Sequence, residues 1–249
     1  MTVNRAIQAQ LNAALWECCP PDYIRAVNQT PLLHDVTTEL VEDAAAFAGK
    51  DPASCGDPLY IIQTYASFKA ILHYRLAHKL DHHFTDDEPQ FRHLPMYASL
   101  VSNRGKMLSG ADLHFRCLIG RRFVLDHGVG TVFGETARVG DDCYILGGVT
   151  LGAAGISNNP NGKRHPTVGN RVQIGAFTRI LGPVSIGDDV LIGPQCSITE
   201  DVAPLSKITL RSTLQVLREH RPRGAPLSGP LSPLSPLSPL TYGAINDEI

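Results

Sequence analysis

Residues 123–136 read FVLDHGVGTVFGET, an Asp-His pair followed by glycines at 128, 130 and 134. Imidazole is the side chain whose unperturbed pKa lies near neutrality, so His127 is suited to take a proton from a hydroxyl. No serine or cysteine nucleophile stands next to it, which leaves a base, or a polar residue at a turn, as the roles open to it. A carboxylate on the other ring nitrogen would fix its tautomer and stabilise the imidazolium. Downstream, Lys163-Arg164-His165 sets two cations and an imidazole side by side. Arginine offers paired donors to a carboxylate, which lysine cannot match.

These residues sit in a chain with a six-residue period. Written in sixes from Val168 it runs VGNRVQ, IGAFTR, ILGPVS, IGDDVL, IGPQCS, ITEDVA. The first place is aliphatic throughout: Val168, Ile174, Ile180, Ile186, Ile192 and Ile198. The fifth is small or β-branched: Val172, Thr178, Val184, Val190, Cys196 and Val202. Glycine often holds the second place, where it is expected to relieve unusual turn angles. Upstream the frame is expected to run through Leu113, Ile119, Leu125, Thr131, Ala137, Cys143 and Val149. Six fits neither the helix period nor strand alternation. It is the signature of a parallel β-helix, with three hexads making a triangular coil of about 18 residues. First-place aliphatics then stack inside. The frame breaks at TLGAAGISNNPNGKRHPT, read as an excursion loop over 153–167; long loops on rigid scaffolds tend to carry function.

The first 110 residues read as an α-helical domain. Ile7, Leu11, Leu15 and Trp16 form one helical stripe, Thr30-Pro31 caps a second helix, and 57–80 carries Leu59, Ile62, Tyr65, Phe68, Leu72 and Leu76 at helical spacing. A further helix is expected around Pro95. His73, His78, His82 and His83 read as helix-surface residues without metal geometry, and no metal is expected. The hexads fill 111–205. Residues 206–249 form a last segment and a tail in which Pro-Leu-Ser repeats, a composition read as disordered. The net charge of −2 and the 6% aromatic content give no case for nucleic acid or an anionic membrane as partner. No apolar run approaches a membrane span and no signal peptide opens the chain, so a cytoplasmic protein with six reduced thiols is expected.

Helices followed by hexads, with DHGVGTVFGET, VTLG, ADLH at 111–114, KRHPTVG and the DPA of residues 51–53, resemble the serine O-acetyltransferase family. The resemblance implies an α+β fold: an N-terminal α-helical domain and a left-handed parallel β-helix of hexapeptide repeats. It implies transfer of acetyl from acetyl-CoA to the hydroxyl of L-serine, giving O-acetyl-L-serine for cysteine biosynthesis. His127 would be the base and Asp112 its carboxylate. Asp51 and Asp126 would hold the serine ammonium, and Arg164 and His165 its carboxylate. Gly152, Ala153, Ala176 and Pro194 would contact coenzyme A between subunits of a homotrimer or dimer of trimers. The terminal Ile249 would engage O-acetylserine sulfhydrylase. Departures are Phe115-Arg116 after ADLH, TLGAAG for TLGGTG, and ITLRSTLQVLRE where a Gly-x-Pro-Ala motif is usual. Another hydroxy acceptor (homoserine, a sugar, an antibiotic), another acyl donor, or a non-catalytic scaffold are the competing readings.

Overall fold

The computed structural model describes residues 1–83, 94–157 and 161–211. The Pro-Leu-Ser tail and Ile249 lie outside the described residues. Six helices come first: α1 (Val3–Cys18), α2 (Pro21–Asn28), α3 (Leu32–Lys50), α4 (Pro58–Thr64), α5 (Ala66–His83) and α6 (Leu94–Ser109). Ile7, Leu11 and Leu15 are buried as their spacing requires, whereas Trp16 is exposed. The segment read as one long helix is two. Tyr65 is extended (φ −85°, ψ 119°) between α4 and α5.

Among the described residues fourteen short strands follow, in three parallel sheets. The first holds β1 (Asp112–Leu113), β4 (Val132–Phe133), β7 (Thr150–Gly152), β10 (Arg179–Leu181) and β13 (Ser197–Ile198). The second holds β2 (Leu118–Ile119), β5 (Arg138–Val139), β8 (Thr167–Val168) and β11 (Ser185–Ile186). The third holds β3 (Val124–Asp126), β6 (Tyr144–Leu146), β9 (Gln173–Ile174), β12 (Leu191–Ile192) and β14 (Lys207–Ile208). The chain visits the sheets in rotation, which makes the expected left-handed β-helix of about five coils.

Inward residues stack in register. Leu113 lies under Phe133, Phe133 under Leu151, Leu151 under Ile180, and Ile180 under Ile198. The upstream frame needs correction. The rungs are Phe133, Val139, Ile145 and Leu151. Thr131, Ala137, Cys143 and Val149 are buried two residues earlier, at the fifth place. The frame slips because Leu125 and Phe133 are eight residues apart rather than six. At the other end, Ile208 pairs with Ile192 sixteen residues before it. That last coil is short by two, so the β-helix passes residue 205.

Second-place glycines are not turn residues. A Cβ at Gly140 would lie 2.6 Å from the Gly169 carbonyl oxygen of the next coil, so they permit coils to approach. The left-handed turn positions go instead to residues such as Arg122, Asp142, Arg171 and Asp189.

Helices cap the first coil. Arg75 and Asp43, both buried, form a paired ion bridge at 3.0 and 3.2 Å. Arg75 also donates to the Ile119 carbonyl at 2.6 Å, and Asp43 accepts from the Phe123 amide at 2.9 Å. Tyr74 donates to the Cys117 carbonyl at 2.7 Å and accepts from the Ile119 amide at 3.0 Å. Edge-strand groups that would otherwise stay open are thereby satisfied. All six cysteines are unpaired thiols, and burial pushes Cys117 up to about 12, which keeps it inert. No helix among the described residues is long and apolar enough to cross a membrane.

His73 is not on the helix surface, and His78 is half-buried. His73 is 2% exposed, its Nδ1 donating to the Lys69 carbonyl at 2.6 Å and its Nε2 accepting from Arg104 at 2.5 Å. Burial, the largest cause, lowers its pKa to about 4. The unfolded chain therefore binds a proton here at a pH where the folded chain does not. Stability linked to His73 is complete above pH about 6.5 and falls as pH drops toward 4, by up to about 3 kcal/mol. Denaturant unfolding of wild type and His73→Asn at pH 7.5 and 4.5 checks this: the variant should lose less stability on acidification.

Candidate active site

The two residues by which the Leu125–Phe133 step exceeds a hexad leave the coil at the edge between the third and first sheets. There the chain turns through His127 (φ 61°), Gly128 (φ 73°) and Gly130 (φ 77°). Amide bonds from Gly128 to the Asp126 carbonyl (2.7 Å) and from Thr131 to the Gly128 carbonyl (3.0 Å) close the bulge. The Gly130 amide ties it to Gly110 one coil below at 2.9 Å. A Cβ at Gly128 would press on Ser67 at 2.9 Å, so glycine lets the bulge lie against the start of α5. The result carries the His127 side chain outward, 84% exposed, while its neighbour Asp126 is 17% exposed.

Beside it opens a cavity of about 300 Å³ lined by Asp51, Tyr65, Ser67, Asp126 and His127, with Ala53 and Ala66. Asp51 caps a 3₁₀ turn (Pro52–Ser54), its Oδ1 accepting from the Ala53 amide at 2.9 Å. Its Oδ2 accepts from the Tyr65 hydroxyl. Because α4 stops at Thr64, Tyr65 is free of helical geometry and can reach Asp51. The bond to Asp51 pushes the Tyr65 pKa up to about 12. Asp126 Oδ2 accepts from the Tyr144 hydroxyl at 2.8 Å and lies 3.9 Å from His127 Nε2. Burial, then Asp126, raises the Tyr144 pKa.

The excursion leaves after β7 and returns at β8, so both of its described ends, 153–157 and 161–166, start from the edge between the first and second sheets. There Arg116, Glu135, Thr136, Arg138, Lys163 and Arg164 line a cavity of about 440 Å³. Arg164 Nη2 donates to Glu135 Oε2 at 2.5 Å, and Arg116 meets the other Glu135 oxygen at 3.5 Å. Thr136 organises the basic pair: its Oγ1 accepts from the Arg164 amide at 3.0 Å and the His165 amide at 3.1 Å. His165, 8% exposed, accepts the Thr136 amide on Nδ1 at 3.2 Å, which leaves Nε2 to carry the proton of the neutral ring. Burial, then the adjacent Arg164, lowers its pKa. Burial and Arg138 lower Lys163 to about 8, and it donates to the Thr136 carbonyl at 2.7 Å. Gly134 is required here, since any Cβ would overlap the His165 imidazole.

The sequence-predicted residues thus separate into two groups. Asp51, Asp126 and His127 share one edge; Arg164 and His165 share another. Asp112 begins β1 on the sheet that leaves the His127 edge, opposite Val132, with its carboxylate on Lys106 Nζ at 2.6 Å. Ala176 and Pro194 belong to the His127 edge higher up: the Gln195 amide bonds Ala176, and the Phe177 amide bonds Gly147. Gly152 and Ala153 lie across the first sheet, where Gly152 bonds Gly182 at 2.9 Å. Sequence reasoning gave no role to Glu135, Thr136, Tyr65 or Tyr144. Glu135 and Thr136 stand inside the quoted Gly-Glu-Thr, which was the available signal. No group of three or more His, Cys, Asp or Glu among the described residues is placed to hold a metal. One edge offers a base and two carboxylates, suited to an acceptor bearing a cation. The other offers a guanidinium and an imidazole, suited to an anion.

Residues 165–200 match the bacterial transferase hexapeptide (six repeats) family. The serine acetyltransferase of Mycobacterium tuberculosis is 38% identical over 185 residues, covering 74% of this chain and 75% of that one. That of Helicobacter pylori is 36% identical over 172 residues, 69% of this chain and 92% of that one. The serine acetyltransferase of Neisseria gonorrhoeae, solved in complex with serine, superposes with TM-score 0.65 at 29% identity, covering 82% of this chain and 78% of that one. Isoform 3 from Entamoeba histolytica, solved with cysteine, gives TM-score 0.65 at 29% identity, covering 88% and 71%.

The packing of Gly134 on His165 is testable without substrate. Gly134→Ala should cost about 1–3 kcal/mol in thermal or denaturant unfolding, as overpacking of a buried ring does. It should also shift the His165 imidazole resonances, while Gly49→Ala, whose Cβ meets nothing within 4 Å, leaves them in place.

Proposed function

The chain belongs to the serine acetyltransferase family, and from that premise we propose how its residues move an acetyl group from acetyl-CoA to the hydroxyl of L-serine. The acceptor carries an ammonium, a carboxylate and a hydroxyl. Asp51 and Asp126 take the ammonium. Arg164 and His165 take the carboxylate, with Glu135 yielding part of the guanidinium. His127 removes the hydroxyl proton as the serine oxygen attacks the thioester carbonyl. The tetrahedral adduct expels the coenzyme A sulfur, and the imidazolium returns the proton to it, so the products are O-acetyl-L-serine and a free thiol. Asp112 orients the imidazole. Its link to Lys106 is exposed on both sides (53% and 39%) and of little energetic consequence, so the carboxylate is free to turn.

The observation that carries this reading is the pairing of a base and two carboxylates in one cavity with a guanidinium and imidazole on another edge. Two edges of one triangular coil face different directions. A single L-serine therefore bridges the two groups where the His127 edge of one chain meets the Arg164 edge of a second copy. Head-to-tail contacts of this kind form a ring when the rotation between copies closes, and three copies would give the homotrimer that the family resemblance implies. Coenzyme A then lies in the same cleft, along the column of Ala176 and Pro194. Engagement of the sulfhydrylase by Ile249 remains a proposal about residues outside those described.

Free thiol released from acetyl-CoA, with L-serine, homoserine and sugars as acceptors, tests the reading. Thiol should appear fastest with L-serine. His127→Ala should lower kcat by about 10²–10⁴-fold. No serine-dependent thiol would overturn the assignment, and a full rate in His127→Ala would overturn the mechanism.

A further inference from the structure

Both carboxylates of the His127 cavity carry a tyrosine hydroxyl: Tyr65 on Asp51, and Tyr144 on Asp126 at 2.8 Å. The two rings arrive from unrelated elements. Tyr65 comes from the break between α4 and α5. Tyr144 opens β6, one coil above β3, in register with Val124. Each ring is held. Tyr65 meets the buried Phe47 edge-on at 5.3 Å and Tyr60 at 5.9 Å. Tyr144 lies under the Lys50 ammonium at 5.8 Å, and Lys50 is itself fixed to the Asp142 carbonyl at 3.0 Å.

We propose that Tyr65 and Tyr144 are positioning residues of the ammonium half-site: each hydroxyl pins one carboxylate so that the free lone pairs of Asp51 and Asp126 converge on a primary ammonium. This rests on the reading above that these two carboxylates bind the ammonium of serine. Two carboxylates facing one cavity repel. A hydroxyl donor on each carboxylate offsets part of that repulsion and fixes which oxygen faces the cavity. An ionised carboxylate has about four acceptor positions. Asp51 spends one on the Ala53 amide and one on Tyr65, so the rest stay available to an ammonium with three N–H groups. Both tyrosine pKa values are raised, so both hydroxyls remain donors at neutral pH. An acceptor without an amine would leave the remaining lone pairs of two aligned carboxylates unmet, the arrangement by which a polar site rejects an analogue strongly. The tyrosines thus help set the site toward amino acids and away from hydroxy acids and sugars.

Steady-state kinetics of Tyr65→Phe, Tyr144→Phe, Asp51→Asn, Asp126→Asn and the double variant Tyr65→Phe/Asp51→Asn test this. Each Tyr→Phe change keeps the ring and its packing. We expect each to raise KM for L-serine about tenfold, the loss of one bond to a charged group, with kcat and KM for acetyl-CoA within about twofold. In the Asp51→Asn background, Tyr65→Phe should add less than about twofold, because a residue acting through Asp51 has nothing left to position. Calorimetric titration with L-serine below the melting midpoint reads the same weakening should a variant be less stable. An unchanged serine KM in both Phe variants, with Asp51→Asn and Asp126→Asn raising it, would overturn the positioning role and leave the ammonium assignment standing. So would a Tyr65→Phe effect that multiplies in full onto Asp51→Asn. An unchanged serine KM in the Asn variants would overturn the ammonium assignment and this inference with it.

Discussion

Each coil of a parallel β-helix must return its inward side chain beneath the one above, because the ladder bonds and the stacked core both require that register. Extra chain cannot be absorbed within a strand; it has to leave at an edge. Here it leaves at two edges, and those are the places where the residues of the proposed site lie. The two extra residues of the Leu125–Phe133 step push His127 into solvent. The longer excursion between Leu151 and Val168 delivers Lys163, Arg164 and His165. The regular coils between them serve as a rigid frame that fixes how far apart the two groups stand.

The helices make that frame usable. Arg75, Asp43 and Tyr74 close the open end of the first coil, and the same packing brings the ends of α3 and α4 to the His127 edge. Asp51 follows α3 and Tyr65 follows α4, so one docking event places both a carboxylate and its hydroxyl partner. The buried ion pair is not a large stabiliser in itself, since desolvation offsets most of its attraction. Its guanidinium and carboxylate matter because each also holds a backbone group of the coil edge.

The β-helix was legible in the sequence because the downstream hexads are uninterrupted and their first places uniformly aliphatic. The upstream slip was hidden for a physical reason. Fifth-place residues must be small and apolar, so Thr131, Ala137, Cys143 and Val149 pass for first-place residues in a frame offset by two. The short last coil escaped in the same way, since Ile208 falls outside the period. The motif carried Asp126, His127, Arg164 and His165 but could not say that they occupy separate edges, which is a property of the coil path. Tyr65 was masked by helical spacing, because hydrophobic periodicity does not register a one-residue break. His73 was misread since a histidine within a polar-looking run is buried here by the close approach of α6 at Gly105, whose Cβ would collide with it.

In the proposed assembly, one active site is formed by the His127 edge of one chain and the Arg164 edge of another. Mixing His127→Ala and Arg164→Ala chains under conditions that exchange subunits tests it directly. Neither variant alone should turn over L-serine well. In a head-to-tail trimer each mixed assembly regains one intact site of three, so an equal mixture should recover about a quarter of the wild-type rate. A mixture no more active than its components, with subunit exchange confirmed by mass, would contradict the account.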